Sequence, residues 1–370
     1  MELEEIVALS VKHNAADLHL CSGHSPRWRR HGRLEPIPDI RPLTADWLAR
    51  FTERYLNARQ REELAAQGQT DFALCLASGQ RLRANLFTQR QGLSLALRTL
   101  ATDCPALESL HLPPVVSRWL TLEDGLILVT GATGSGKSTT LAALVDAINR
   151  QQAKHIITLE DPVEFVHQSQ RSLIQQREIG THCASFSLGL RAALREDPDV
   201  ILLGELRDSD TIRQALTAAE TGHLVLATLH TRGAAQAIDR LVDVCPAVEK
   251  NLVRTQLAGS LKAVMAQKLV PANGGGRIGL FEVLTATPAI ANLIRDGKMH
   301  QIGGLLQTGA QAGMQTFEQS LLARQREGLI ARASDEGERP AESGDQWVSN
   351  QSCKIMAADC ESTEPLFSAR

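Results

Sequence analysis

Gly131-Ala132-Thr133-Gly134-Ser135-Gly136-Lys137-Ser138 matches the pattern G-x-x-x-x-G-K-[ST], and the chain carries it once. An apolar run at 126–130 precedes it, and Leu141, Leu144, Val145 and Ile148 follow at i, i+3, i+4 and i+7, the spacing of a helix with one buried face. Strand, glycine-rich loop and helix in that order form the context in which the pattern means phosphate binding. The glycines let the backbone wrap an anion, so that successive N–H groups and the positive end of the following helix face it. Lys137 is then expected to reach the β- and γ-phosphates of ATP, and the Ser138 hydroxyl to ligate Mg²⁺, with Thr139 beside it in the first helical turn.

Hydrolysis needs acids at the same edge of the sheet. Val200-Ile-Leu-Leu-Gly204-Glu205 is an apolar run ending in a carboxylate, and ligands of open α/β sheets collect at the carboxyl ends of strands. Glu205 therefore stands where an acid holding Mg²⁺ or its water is expected, although a glycine intervenes and the acid is Glu. Ile156-Ile-Thr-Leu-Glu160-Asp161-Pro162-Val-Glu164 repeats the arrangement one strand over. Pro162 sets the turn that would aim Glu164 inward as a general base, and a solvated acidic loop would read the same. His223 and His230 flank another apolar run, but along a strand they stand about 23 Å apart at an odd offset, too far to share one metal ion. His230 lies at the carboxyl end, beside the expected γ-phosphate; His223 lies at the strand entry, where a structural role fits at least as well.

The remaining composition narrows the class. A chain of 370 residues exceeds one ordinary hydrophobic core, so two domains are expected. A net charge of −3 offers no global field for a polyanion, so nucleic acid is not an expected partner. No run reaches the eighteen or so apolar residues of a membrane helix, and Met1-Glu-Leu-Glu-Glu5 lacks a positive, then apolar, leader. A cytoplasmic protein without membrane insertion is expected. The seven cysteines are scattered with no Cys-x-x-Cys, as in a reduced protein without structural zinc.

Residues 2–12 read as a helix, 17–20, 81–87 and 93–100 as strands, and 44–66 as a helical segment, making an α+β domain over 1–103. Pro105, Pro113 and Pro114 mark a linker over 104–122. From 123 to 330, short apolar runs at 126–130, 156–159, 200–203 and 224–229 alternate with helices, which predicts a largely parallel sheet followed by C-terminal helices. The stretch 331–370 is rich in Ser, Glu and Asp and is expected to be a disordered tail, with Trp347 its one residue suited to docking.

The phosphate loop stands with three further blocks: Leu159-Glu-Asp-Pro-Val-Glu-Phe165; Leu194-Arg-Glu-Asp-Pro-Asp-Val-Ile-Leu-Leu-Gly-Glu-Leu-Arg-Asp208; and Thr217-Ala-Ala-Glu-Thr-Gly-His-Leu-Val225 with Thr228-Leu-His-Thr231. Together these resemble the type II/IV secretion ATPases, and within them the PilT-type pilus retraction ATPases and their YggR-like relatives, over roughly residues 1–330. The resemblance implies an α/β, RecA-like P-loop NTPase core with a smaller N-terminal α+β, PAS-like domain. It implies Glu164 as catalytic glutamate, Glu205 as Walker-B acid, and His223 and His230 as histidine-box residues. It further implies a hexamer, peripheral to the inner membrane through a pilus or secretion platform protein, of the kind that drives twitching motility.

A site shared between subunits would draw cations from a neighbour. Arg81, Arg83 and Arg98 in the first domain and Arg195 and Arg207 in the second are the candidates, with Arg81 and Arg83 on one face of a strand. The retraction branch carries Ala-Ile-Arg-Asn-Leu-Ile-Arg-Glu where this chain has Ala289-Ile-Ala-Asn-Leu-Ile-Arg-Asp296, so the charge at 291 is gone and the last acid is shorter. That difference bears on retraction rather than on ATP turnover. Two competing readings are a nucleotide-binding regulatory subunit with little turnover, and a nucleic-acid motor using Arg27-Trp-Arg-Arg-His-Gly-Arg33.

Overall fold

Period-two burial builds the first third of the chain, and continuous apolar burial builds the rest. The computed structural model describes residues 2–331 apart from 16, 31, 32, 101 and 102; the expected tail, with Trp347, lies outside the described residues from 332 onward.

Helix α1 (Leu3–Lys12) buries Leu3, Ile6 and Val7 at helical spacing. Strands β1 (Asp17–Cys21), β2 (Arg27–Arg30) and β3 (Arg33–Pro36) lead to helices α2 (Ala45–Tyr55) and α3 (Ala58–Gln67). Strands β4 (Gln69–Cys75), β5 (Arg81–Gln89) and β6 (Gly92–Thr99) complete an antiparallel sheet in the order β3-β2-β1-β6-β5-β4. Its inner face, including Leu18, Leu20, Leu82, Leu86 and Leu95, forms one apolar cluster with the buried sides of α1 and α2. Alternation along β5 turns Arg81 and Arg83 to the other face.

The helical segment expected over 44–66 is two helices. Leu56 is extended at φ −91, ψ 135. The Asn57 side chain then caps α3 by accepting from the Gln60 N–H at 2.9 Å, while the Gln60 side chain accepts from the Asn57 N–H at 2.9 Å. A short polar side chain that satisfies orphan N–H groups starts a new helix more readily than it continues an old one. Trp28, the aromatic of the arginine-rich segment, is 3% exposed with the Arg30 guanidinium 5.3 Å from its ring centre. It belongs to the core and offers no stacking face to a nucleic-acid base.

Next come α4 (Val116–Trp119), β7 (Gly125–Thr130), α5 (Lys137–Gln151), β8 (His155–Glu160), β9 (Leu173–Glu178), α6 (Phe186–Ala193) and β10 (Val200–Leu203). They are followed by α7 (Ser209–Glu220), β11 (Leu224–Leu229), α8 (Ala234–Val244), α9 (Lys250–Ser260), β12 (Leu261–Pro271) and β13 (Arg277–Thr285). The sheet order is β13-β12-β7-β11-β10-β8-β9, parallel throughout except for the antiparallel β12–β13 pair. Helices α10 (Pro288–Arg295), α11 (Ile302–Thr308) and α12 (Phe317–Arg326) close the described part.

Both faces of this sheet are covered, which is why its strands read as unbroken apolar runs. Leu126, Leu128, Ile201, Leu203, Val225 and Ala227 face a cluster that holds the buried sides of α7 to α11. The alternate residues Ile127, Val129, Val200, Leu202, Leu224 and Leu226 face α5, joined by Val115, Val116, Trp119 and Leu120.

The sequence reading placed only helices after β11, whereas residues 261–285 form a β-hairpin that extends the sheet. Helix α9 runs directly into β12, and the one sign of the change of period is Gly259, next to last in the helix. Gly274, Gly275 and Gly276, all at positive φ, mark the hairpin tip and are the signal that could have revealed it.

The core predicts its own sensitivity. Ile201→Ala, in the interior strand β10 at 0% exposure, should lower the unfolding free energy by roughly 2–5 kcal/mol. Leu34→Ala, at 41% exposure, should stay within about 0.5 kcal/mol of the parent, both read by guanidinium denaturation.

Candidate active site

The loop that leaves β7 is shaped by what surrounds its glycines. A Cβ added at Gly131 would lie 2.4 Å from the Gln267 carbonyl oxygen and 2.5 Å from the Ser135 Oγ, so no side chain fits there. Gly134 and Gly136 adopt φ of 77 and 90, which L side chains rarely reach. Helix α5 then starts at Lys137 with Gly136 as its N-cap and no side-chain cap, leaving its first N–H groups for another acceptor. The Ser135 Oγ is buried with no partner, and Ser138 and Thr139 stand half-buried on the first turn. Uncapped N–H groups, an unpartnered hydroxyl and glycines at positions that their contacts or their positive φ deny to side chains all fit a phosphate group.

Lys137 is 8% exposed, with its Nζ donating to the carbonyls of Gly131 at 2.9 Å and Ala132 at 3.1 Å. Burial lowers its pKa below the ordinary lysine value, against the opposing pull of Glu205 and Glu164. The same Nζ lies 3.4 Å from the His230 Nδ1, and the His230 Nε2 lies 3.3 Å from the Glu205 Oε1. This places Nδ1 as acceptor and the Nε2–H as donor. Glu205 is held on its second oxygen by Arg207, at 2.7 Å. Lysine, histidine, carboxylate and guanidinium thus form one continuous chain at the carboxyl ends of β7, β11 and β10.

The register of the sheet brings these groups level. Thr130 pairs with Leu229, and Leu203 pairs with both Ala227 and Leu159. The Thr130 hydroxyl, accepting from the Thr231 N–H at 2.9 Å, locks the turn that carries His230 to the end of β7. The Thr228 hydroxyl bonds the Gly204 carbonyl and so fixes the approach to Glu205.

The acidic segment after β8 divides its carboxylates between two surroundings. Glu160 turns inward, accepting from the Thr158 hydroxyl at 2.6 Å and the Gln176 amide at 3.1 Å. Burial raises its pKa, against hydrogen bonds from Thr158, Gln176 and the Glu164 backbone. Gln176 also donates to the Phe165 carbonyl and accepts from the His167 N–H, both at 2.8 Å, so Glu160 and Gln176 together set the path of the segment. Asp161 has its pKa raised by burial, opposed by Arg83 and Arg207, and precedes a cis peptide bond to Pro162. Glu164 stays half-buried and within electrostatic range of Lys137.

Of the five arginines singled out by sequence, Arg81 meets the acidic segment within its own chain. It donates to the carbonyls of Glu164 at 2.8 Å and Val163 at 2.5 Å. Arg83 lines a cleft of about 270 Å³ with Arg59, Asp71, Asp161 and Glu178. Arg98 pairs with Asp17 at 2.7 Å, and Arg195 is exposed just past α6. His223, at the entry of β11, has its Nδ1 3.0 Å from the Ala218 carbonyl, at the edge of the sheet opposite the loop. Sequence reasoning passed over Gln176 and gave no role to Thr130 or to Thr228, the latter although it opens a quoted block, because single polar residues in apolar runs carry no spacing signature.

Residues 74–334 match the family model described as Type II/IV secretion system protein. The chain belongs to that family. As a family member with this phosphate loop it is an ATPase with a nucleotide site. Over 334 residues it is 61% identical to the uncharacterized protein YggR of Escherichia coli K12, spanning 89% of this chain and 100% of that one. It is 46% identical over 332 residues to the type IV pilus retractation ATPase PilT of Pseudomonas aeruginosa, spanning 90% and 96%. The crystal structure of the pilus retraction motor PilT with bound ADP superposes at a TM-score of 0.82 and 41% identity, covering 90% of this chain and 95% of that one.

Glu160 gives this family member a pH signature. A carboxyl whose folded pKa is raised keeps its full contribution below the ordinary value of 4.5 and loses it as pH climbs through the folded value. Glu160→Gln removes the ionisation, at a pH-independent loss in hydrogen-bond fit. Its stability relative to the parent should therefore rise with pH from 4.5 upward and then level off, measured by denaturation at a series of pH values. A flat difference would mean that Glu160 ionises freely.

Proposed function

We propose that this ATPase is a hexameric ring motor that turns ATP hydrolysis into movement of a type IV pilus or a related secretion platform at the inner membrane. The observation that carries the reading is the unbroken chain Lys137–His230–Glu205–Arg207 at the sheet edge that bears the phosphate loop. ATP supplies the phosphoanhydride and Mg²⁺ the charge to neutralise it. Residues Gly131 to Thr139 would hold the phosphates, and Ser138 and Glu205 would hold the metal ion. Arg207 and His230 occupy both Glu205 oxygens here, so Glu205 would have to exchange one of these partners to hold a metal ion. Glu164 orients and deprotonates water, and His230 links the lysine to the metal acid.

The two lobes, 1–103 and 123–330 with 104–122 between them, supply the moving parts. Arg81 bonds the backbone of the Glu164 segment across them, so a shift of the N-terminal sheet would reach the acid. Among the described residues no helix is long and apolar enough to cross a membrane, in keeping with attachment through a partner. The mechanical output is where this chain differs from the retraction branch. Ala291, on α10, packs against the cluster that α7 to α11 share and brings no charge to position 291, and Asp296 pairs with Lys298 at 3.1 Å. A regulatory ring that binds nucleotide without turning it over is the second reading, and the missing charge at 291 is what favours it.

Phosphate release with Mg²⁺, followed across protein concentrations that span monomer to ring, separates the two. Specific activity is expected to rise with assembly, and Lys137→Ala and Glu164→Gln to abolish it. Assembled parent protein that binds ATP but releases phosphate no faster than the two variants would establish the regulatory reading instead.

A further inference from the structure

Strand β12 carries one polar side chain into the core, and each end of its amide is engaged, one by the phosphate loop and the other by the helix that follows it. Gln267 follows Ala266, which pairs with Thr130 on the last rung between β12 and β7. It therefore sits where the chain leaves the sheet to become the loop. Ala263, Val264, Met265 and Ala266 before it are 0% exposed, and Gln267 itself is 4% exposed. Its Nε2 donates to the Ser135 carbonyl at 2.7 Å, and its Oε1 accepts from the Thr140 hydroxyl at 3.0 Å. Ser135 is the crest of the loop on its buried side, and Thr140 lies one turn into α5. The Gln267 backbone takes part as well, since its carbonyl oxygen is the atom that forbids a side chain at Gly131.

A buried amide is costly unless both of its ends are satisfied, and a methionine or leucine would fill a strand-end position without that cost. What the amide adds is a fixed span between the loop and the helix. Its anchor is independent of the loop, because the next residue, Lys268, reaches the other way, with its Nζ 4.6 Å from the Phe317 ring centre on α12. We infer that Gln267 is a positioning residue for nucleotide: it clamps the Ser135 carbonyl to Thr140, so that the loop N–H groups already face the phosphate site before the phosphate arrives. An anion site built from backbone N–H groups binds in proportion to how well those groups are held in advance. The inference rests on the reading of 131–138 as the phosphate loop.

The test uses the full chain and ADP with Mg²⁺, titrated calorimetrically, beside steady-state ATP turnover and the melting temperature of the nucleotide-free protein. Gln267→Met keeps length and volume but makes neither hydrogen bond. It should weaken ADP binding roughly tenfold and raise KM more than it lowers kcat. Gln267→Glu keeps an acceptor for Thr140 but sets a carboxylate against the Ser135 carbonyl, and should weaken binding at least as much. Thr140→Val removes one of the two bonds and should lose less. ADP affinity within about twofold of the parent in Gln267→Met, or in Gln267→Glu should the first variant not fold, overturns the inference whatever happens to the melting temperature. Lys137→Ala keeps the two readings apart. If it binds ADP like the parent, the phosphate-loop reading itself fails; if it does not bind while Gln267→Met binds normally, only the role of Gln267 falls.

Discussion

Parallel hydrogen bonding between β7, β11 and β10 is the constraint on which the site depends. Parallel strands deliver all their carboxyl ends to one edge, and the register decides which residues arrive level there. With Thr130 opposite Leu229 and Leu203 opposite Ala227, the phosphate loop, His230 and Glu205 emerge side by side. A slip of one residue in β11 would turn Leu226 and Ala227 to the wrong faces and carry His230 away from Lys137. Burial on both faces protects that register, since every residue of β7, β10 and β11 is enclosed.

Charge is handled at this edge by mutual satisfaction rather than by solvent. The Lys137 ammonium is taken from water and given two carbonyls and a histidine; the Glu205 carboxylate is given that histidine and an arginine. The bonds of the buried Lys137 ammonium to its carbonyls are charge-assisted and contribute about 1.5–3 kcal/mol each, whereas the Arg207–Glu205 pair, with the arginine side chain 68% exposed, is screened by solvent and contributes less. An arriving phosphate competes for the same donors. The geometry is thus a store of partners that nucleotide can exchange, with Glu160 and its amide partner Gln176 forming the fixed wall behind them.

The N-terminal sheet joins this edge through its arginine face. Arg81 on that sheet bonds two carbonyls of the Glu164 segment, and Arg59 on the adjoining helix α3 bonds the Gly180 carbonyl just beyond β9. Arginine suits this task because its planar fork donates in fixed directions and never loses its charge. Arg81, one of the arginines singled out as candidates for a neighbouring subunit's site, bonds the backbone of the acidic segment of its own chain.

The sequence by itself determined the phosphate loop, the four buried parallel strands and the positions of Glu205, Glu164 and His230 at their ends. Those features follow from forces that act over a few residues: glycine reaches positive φ, an apolar run seeks burial on both faces, and an acid after it must emerge. Tertiary structure alone decided that β11 lies between β7 and β10, that Glu160 turns inward while Glu164 stays near Lys137, that Arg81 meets the Glu164 segment, and that 261–285 is a hairpin bringing Gln267 under the loop. Each of these choices pairs residues far apart in the chain, as with Arg81 and Glu164 or Ser135 and Gln267. Such a choice is made by the summed packing of whole surfaces, which leaves no mark on the local pattern of either partner.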